Sequence, residues 1–190
     1  NNKDATAARI TLEYHATEDL LLKLDWDKTD DKSNAKGGYR LLPSLLTDAP
    51  VPDSVYDSYT SMPTNNKVEL DGISFTAKYD VDDNTTLKYV YSSRESYSPT
   101  NIDFDNTPLR IFDVPAIYDD EQTTHELQIN NVGEDYKVVG GVYLYDGESC
   151  GVFDAILDVL GQSAFNTPGL TREVRGCSNA KSQALYVQGT

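Results

Sequence analysis

The 190 residues predict an all-β chain of antiparallel strands, on three observations. Apolar and polar residues alternate with period two, the alternating runs come in pairs, and each pair is joined by a short turn and followed by a long polar stretch. No stretch of about 18 to 20 uninterrupted apolar residues occurs, which excludes a membrane helix but leaves open a membrane barrel, whose strands alternate and average out as polar.

The first pair opens at Arg9–Tyr14, where Ile10, Leu12 and Tyr14 oppose Arg9, Thr11 and Glu13. A turn at His15–Glu18 leads to a return strand with Leu20, Leu22, Leu24 and Trp26 on one side and Leu21, Lys23 and Asp25 on the other. From Lys28 to Asn66 the chain carries Gly37-Gly38, four prolines and many Asp and Ser residues without sustained periodicity. This is a long loop, and a loop of that length means function or disorder.

The second pair spans Lys67–Asp80 and the residues around Leu87–Arg94, with Val81-Asp82-Asp83-Asn84 as its turn. Ile73, Phe75, Ala77 and Tyr79 oppose Ser74, Thr76 and Lys78, and Leu87, Tyr89 and Tyr91 oppose Lys88, Ser92 and Arg94. Ser96–Glu121 reads as a second long loop. The third pair joins Thr123–Asn131 to Tyr136–Asp146 through Val132–Asp135. Both faces of its return strand are apolar in places, so alternation alone leaves its orientation open. A third long excursion, Gly147–Ala180, contains Val152, Phe153, Ile156, Leu157 and Leu160 at helical spacing, with Gly161 as a stop. Lys181–Thr190 reads as a strand cut off without a turn, and its lipid side is also open, Leu185 and Val187 competing with Ala184 and Tyr186.

Short turns at one end and long loops at the other predict an antiparallel transmembrane β-barrel segment of about six strands, with periplasmic turns, extracellular loops and one short helix in the last loop. Tyr14, Trp26, Tyr79 and Tyr145 suit interfacial girdles. A soluble β-sandwich alternates too, but has no reason to place every long loop at one end.

Composition narrows the function. A net charge of −15 argues against a nucleic-acid partner, which requires clustered Lys and Arg. Cys150 and Cys177 fall in one loop-like region and would pair in an oxidising compartment, with two free thiols as the alternative. No leader is read at Asn1.

Phe112–Gln128, running through Asp119-Asp120-Glu121-Gln122 into Glu126-Leu127-Gln128, resembles the loop-to-strand junction of TonB-dependent receptors. Tyr136–Tyr145, with Gly140-Gly141 before aromatic residues, resembles their return strand, and Arg9–Tyr14 and Ser182–Tyr186 are similar to other strands of that family. The resemblance implies a barrel of about 22 strands in the bacterial outer membrane, filled by a plug domain and energised by TonB. Residues 1–190 read as part of the barrel domain alone, and neither a plug nor a TonB-contacting segment is read in them.

Asp80, Asp82 and Asn84 begin a calcium-loop pattern, but Thr85 stands where the turn needs Gly and Tyr91 where it needs Glu, so a solvated turn is expected. His15 and His125 have no ligand-spaced companions, so no metal is expected. No nucleophile or phosphate-binding motif occurs, and Asp30-Asp31 and Asp119-Asp120 read as solvated pairs, so neither enzyme nor cofactor is expected. The candidates for ligand contact are aromatic and cationic loop residues: Tyr39, Arg40, Tyr56, Tyr59, Tyr97, Arg110, Phe112 and Tyr118. Loop packing and lipopolysaccharide contact are their alternative roles. Lys23, Lys78, Lys88, Arg94, Glu126 and Gln128 are expected to line the lumen. The expected partners are a small-molecule or metal-chelate ligand, the TonB complex and outer-membrane lipid. A passive porin and a carbohydrate-binding sandwich are the other readings.

Overall fold

The computed structural model describes residues 3–35 and 37–190. Seven strands form one antiparallel sheet in chain order: β1 (Ala5–His15), β2 (Leu20–Asp31), β3 (Val68–Asp80), β4 (Thr85–Asp103), β5 (Asp113–Val132), β6 (Lys137–Ile156) and β7 (Thr171–Gly189). One helix, α1 (Asp158–Phe165), lies between β6 and β7. The all-β antiparallel class is thus as read, with seven strands for about six. The sheet is open, and among the described residues no second sheet covers it as in a sandwich.

Register settles which side chains share a face. Leu12, Leu24, Phe75, Tyr91, His125 and Leu144 follow one another across the ladders, and the next row on that face runs Tyr14, Leu22, Ala77, Tyr89, Leu127, Val142 and Leu185. The opposite face carries Glu13, Lys23, Thr76, Val90 and Glu126 in one row, and Arg9, Asp27, Gly72, Arg94 and Gln122 in another. This resolves the two open strands: Val142, Leu144, Leu185 and Val187 belong to the apolar face, and Tyr143, Tyr145 and Tyr186 to the polar one. Tyr145 is therefore no girdle residue of the apolar face.

The apolar face is bare. Leu12 is 61% exposed, Leu127 51% and Leu185 83%, while the buried apolar residues are Ala49, Met62, Ile111, Val114 and Ala116, all at the long-loop end. A row of charge on the apolar side, Lys28, Asp71, Glu95, Glu121 and Glu148, limits the band away from the turns.

The turns are staggered as a tilted sheet requires. Leu20, Tyr79, Leu87, Ile129 and Gly140 share one row; β1–β2 pairing stops one residue short of it at His15–Leu21, β3–β4 pairing runs one beyond to Asp80–Thr86, and β5–β6 pairing runs three beyond to Val132–Lys137. A drop of about one residue (~3.3 Å) per strand spacing of ~4.8 Å is a tilt of about 35°, the range in which sheets close into barrels.

Two expected loops and both ends of the expected helix differ in the structure. Ser96–Glu121 and Gly147–Ala180 are not long loops: β4, β5, β6 and β7 run 19 to 20 residues and occupy most of both stretches. Beyond the charged row neither face is consistently apolar, so the alternation that marks a strand fades while the backbone ladder continues. Pro99 and Pro115 added a false loop signal. The helix begins at Asp158 rather than Val152, because Val152, Phe153 and Ile156 pair with β7. Gly161 does not end it but lies buried within it, where a Cβ would meet the Thr167 carbonyl oxygen; Asn166, at φ 49°, ends it.

Candidate functional site

The long connection between β2 and β3 is tied down onto the extended hairpin of β4 and β5. Asn66 Nδ2 donates to Thr100 Oγ1 at 2.8 Å, the Asn101 amide donates to Asn66 Oδ1 at 3.0 Å, and the Lys67 amide donates to the Pro99 carbonyl at 3.2 Å. Side chains that can serve both as donor and acceptor make such a seam self-satisfying without apolar burial. Farther out, Ser58 Oγ donates to the Gly38 carbonyl at 2.7 Å. Gly38 presses directly on the Asn106 side chain, so any Cβ there would collide with it, and Asn106 takes the left-handed conformation at φ 52°.

Between loop and hairpin lies a cleft of about 540 Å³, lined by Tyr39, Tyr56, Asp57, Thr60, Asn101, Asp103 and Asn106 among others. That volume lies within the range of small-molecule sites, about 300 to 1,000 Å³. Tyr39 and Tyr56 are thereby brought together; Tyr56 is 94% exposed and Tyr39 donates its hydroxyl to the Pro52 carbonyl at 3.4 Å. Arg40 is turned inward: its Nη2 donates to the Ala49 and Pro50 carbonyls at 2.8 and 2.6 Å. It fastens the loop instead of facing the cleft. Tyr59 is exposed but does not line the cleft among the described residues.

Arg110 and Phe112 occupy the short connection between β4 and β5. Phe112 stacks on Phe104 with ring centroids 4.8 Å apart, and Arg110 Nε lies 3.9 Å from Asp113 Oδ2. Tyr97 and Tyr118 are not loop residues. Tyr97 lies on β4 opposite Asp119, and Tyr118 lies on β5 opposite Ser98, so the two point to opposite faces and neither reaches the cleft. Their segment failed to alternate in the sequence for the reason given above.

Carboxylates beside the cleft escaped the sequence reading. Ligand oxygens of Asp103, Asp105 and Asp113 lie within 4.8 Å of one another. Asp103 Oδ1 accepts the amides of Asp105 and Asn106 at 3.0 and 2.7 Å, and Asp105 accepts the Thr107 amide at 3.0 Å and the Phe112 amide at 2.8 Å. Asp113 is wholly buried and accepts Ser61 Oγ at 2.6 Å. Burial pushes its carboxyl above the ordinary range, the Asp103 and Asp105 charges add to this, and the Ser61 hydroxyl and Arg110 oppose it. Asp103 and Asp105 are two apart in the sequence, a visible signal; Asp113 joins them only because the hairpin closes.

The expected lumen residues fall on the polar face, and several are partnered. Arg94 Nη2 pairs with Asp27 Oδ1 at 2.8 Å, Lys23 with Asp25 at 3.3 Å, and Gln128 Nε2 donates to Glu126 Oε1 at 2.9 Å. Thr11 Oγ1 donates to Asp25 Oδ1 at 2.6 Å. Cys150 and Cys177 are bonded, and they are cross-strand partners on β6 and β7 rather than loop residues.

No protein-family model matches the chain. No curated protein matches it. Among solved structures, the siderophore receptor PiuA from Acinetobacter baumannii is similar, with a TM-score of 0.56 at 16% identity. The match covers 97% of this chain and 32% of the receptor, so the chain spans about a third of that protein's length. At this identity the likeness shows the fold alone, an antiparallel β-sheet.

Proposed function

We propose that residues 1–190 form part of the barrel of an outer-membrane receptor that captures a small-molecule ligand, a metal chelate of the siderophore class foremost, at its extracellular end and imports it with TonB-derived energy. The observation that carries this reading is the two-faced, staggered sheet, which exposes Leu, Val and Tyr on one side and holds ion pairs on the other. Such a sheet suits lipid outside and water or a plug inside. The fold of PiuA supports it at the level of architecture. The cleft holding Tyr39 and Tyr56 is the proposed capture site, supported by its size, its rigid aromatic rings and its place at the end opposite the turns. Lipid and lipopolysaccharide would meet the apolar face and the charged row above it. The mechanism asks for binding and gating, with no covalent chemistry.

The test begins with fractionation of cells making the full-length protein, followed by electrophoresis of the unheated and heated samples. Uptake of a radio-iron chelate is then measured with and without a protonophore. An outer-membrane, heat-modifiable protein with saturable, energy-dependent uptake supports the proposal. Uptake that is linear and indifferent to the protonophore replaces it with a passive channel, and a protein soluble without detergent removes the barrel altogether.

A further inference from the structure

The turn between β4 and β5 gathers three carboxylates, against which one long ion pair, from Arg110 to Asp113, stands among the described residues. Ligand oxygens of Asp103, Asp105 and Asp113 all lie within 4.8 Å of one another. Calcium accepts an irregular set of carboxylate and other oxygens, whereas magnesium demands a near-ideal octahedron and gives up its waters reluctantly. The nearest cation, Arg110, stands 3.9 Å from Asp113 Oδ2 with its side chain half exposed.

A second feature is independent of the clustering. Asp113 is 0% exposed, and its Oδ1 is buried with no hydrogen-bond partner. A buried, unpaired carboxylate oxygen is among the costliest arrangements a fold can hold, and it persists where a ligand supplies the missing contact. Oδ2 is already engaged by Ser61, so Oδ1 is the free atom. Asp103 and Asp105 are held by backbone amides, which fixes their orientation and leaves each carboxylate with spare lone pairs.

We propose that Asp103, Asp105 and Asp113 bind a calcium ion at the extracellular end of the β4–β5 hairpin. Ser61 of the long loop donates through both its amide and its hydroxyl to this cluster, to Asp103 Oδ2 at 3.2 Å and Asp113 Oδ2 at 2.6 Å. The ion therefore also braces the loop that carries Tyr39 and Tyr56. The histidines and the Asp80–Asn84 turn, on which the expectation of no metal rested, are not involved.

The experiment is calorimetric titration of calcium chloride into the full-length protein in detergent, after stripping with a chelator and removal of lipopolysaccharide, with hydrogen exchange measured on the same samples. The expected result is a saturable site with a Kd of about 10⁻⁴ to 10⁻³ M. Calcium should slow exchange over residues 103–113 and around Ser61, and equal magnesium should not. Asp113→Asn should weaken binding about tenfold or more, as loss of one of three anionic ligands predicts. Where Asp113→Asn misfolds, Asp103→Asn serves in its place. Absence of saturable binding overturns the proposal, and so does binding that neither variant weakens or that protects a different segment. Failure of siderophore uptake would leave this result untouched, since the readout is the ion itself.

Discussion

Tyr186 on β7 donates its hydroxyl to Glu126 Oε1 on β5, 2.6 Å away, and reaches it by lying across Gly141 of the strand between them. A Cβ at position 141 would stand 2.6 Å from the Tyr186 hydroxyl and 2.7 Å from the Leu127 carbonyl oxygen. The ring thus covers a strand glycine and the glycine leaves room for the ring, each removing a weakness of the other. Gly141→Ala should destabilise more than Tyr186→Phe, because a methyl group against backbone cannot be relieved by a rotamer change. The Phe variant should lose about 1 kcal/mol, the worth of one hydrogen bond. Urea unfolding of the full-length protein in lipid vesicles ranks the two, and the reverse order would show that the glycine is incidental.

What the sequence made legible follows the same physics. Three hairpins and their turns were readable because, near the turns, one face is apolar and the other polar, and period two survives. Val139 and Tyr143 blurred β6, since polar-face residues there are themselves apolar or aromatic; only pairing with β5 and β7 orients that strand. Farther from the turns Tyr97 and Tyr118 sit on strands with no alternating neighbours, and Pro99 and Pro115 imitate a loop. Of the ligand candidates, Tyr39 and Tyr56 meet in one cleft, while the charge of Arg40 is spent on the Ala49 and Pro50 carbonyls. Nothing in the sequence distinguishes these fates, which depend on how a loop of more than thirty residues folds back on β4.

The assignment of faces makes a sharp contrast between two strand positions. Leu127 lies in the middle of the apolar face, between Tyr89 and Val142, whereas Ser74 lies on the polar face opposite Asp25. Leu127→Arg should cost about 2 to 4 kcal/mol in a bilayer, the range for a cation near the midplane. Ser74→Lys should be nearly neutral. Refolding yield into vesicles, read by heat modifiability, separates them; a larger loss at Ser74 than at Leu127 would reverse the reading of inside and outside, and equal losses would remove the distinction.

The Cys150–Cys177 bond closes a stretch with a sequence separation of 27 that contains α1. Chain-entropy reasoning gives an upper figure of about 3 to 4 kcal/mol for a loop of that length. The β6–β7 ladder already holds both cysteines in register, so the effect should fall on the outer ends of these strands. A Cys150→Ser, Cys177→Ser double variant is expected to reach the membrane normally but to be cleaved faster by external protease between Ile156 and Thr171. Unchanged cleavage would mean that the ladder alone sets the stability of this end.

Asp82 sits in the β3–β4 turn, outside the strands, and its Oδ1 accepts the Asn84 amide at 2.8 Å. That backbone bond, with further help from Thr85, lowers its pKa below the ordinary carboxylate range against a smaller opposing effect of burial. A group whose folded pKa is depressed stabilises above its unfolded pKa, and the contribution disappears as pH falls through the folded value. The turn should therefore hold at neutral pH and loosen only in acid. Asp82→Asn keeps an acceptor oxygen and should make the turn indifferent to pH. Carboxyl and Asn84 amide shifts followed by NMR between pH 6 and about pH 2, below the unperturbed Asp value, give the answer.

Gly38 offers the most direct link between loop packing and capture. Its missing side chain lets Asn106 press against the loop, and its carbonyl receives the Ser58 hydroxyl. Gly38→Val should lift the Tyr39 and Tyr56 side of the cleft off the β4–β5 hairpin while leaving the ladders of the sheet intact. The expected outcome is normal assembly and heat modifiability with chelate binding weakened about tenfold, equivalent to 1.4 kcal/mol. Tyr56→Ala tests the same cleft without moving the loop, since Tyr56 is 94% exposed and its loss should not disturb folding. Weakened binding in both variants places capture in this cleft. Full binding in both would move the capture site to another part of the receptor, with the loop left as a packing element.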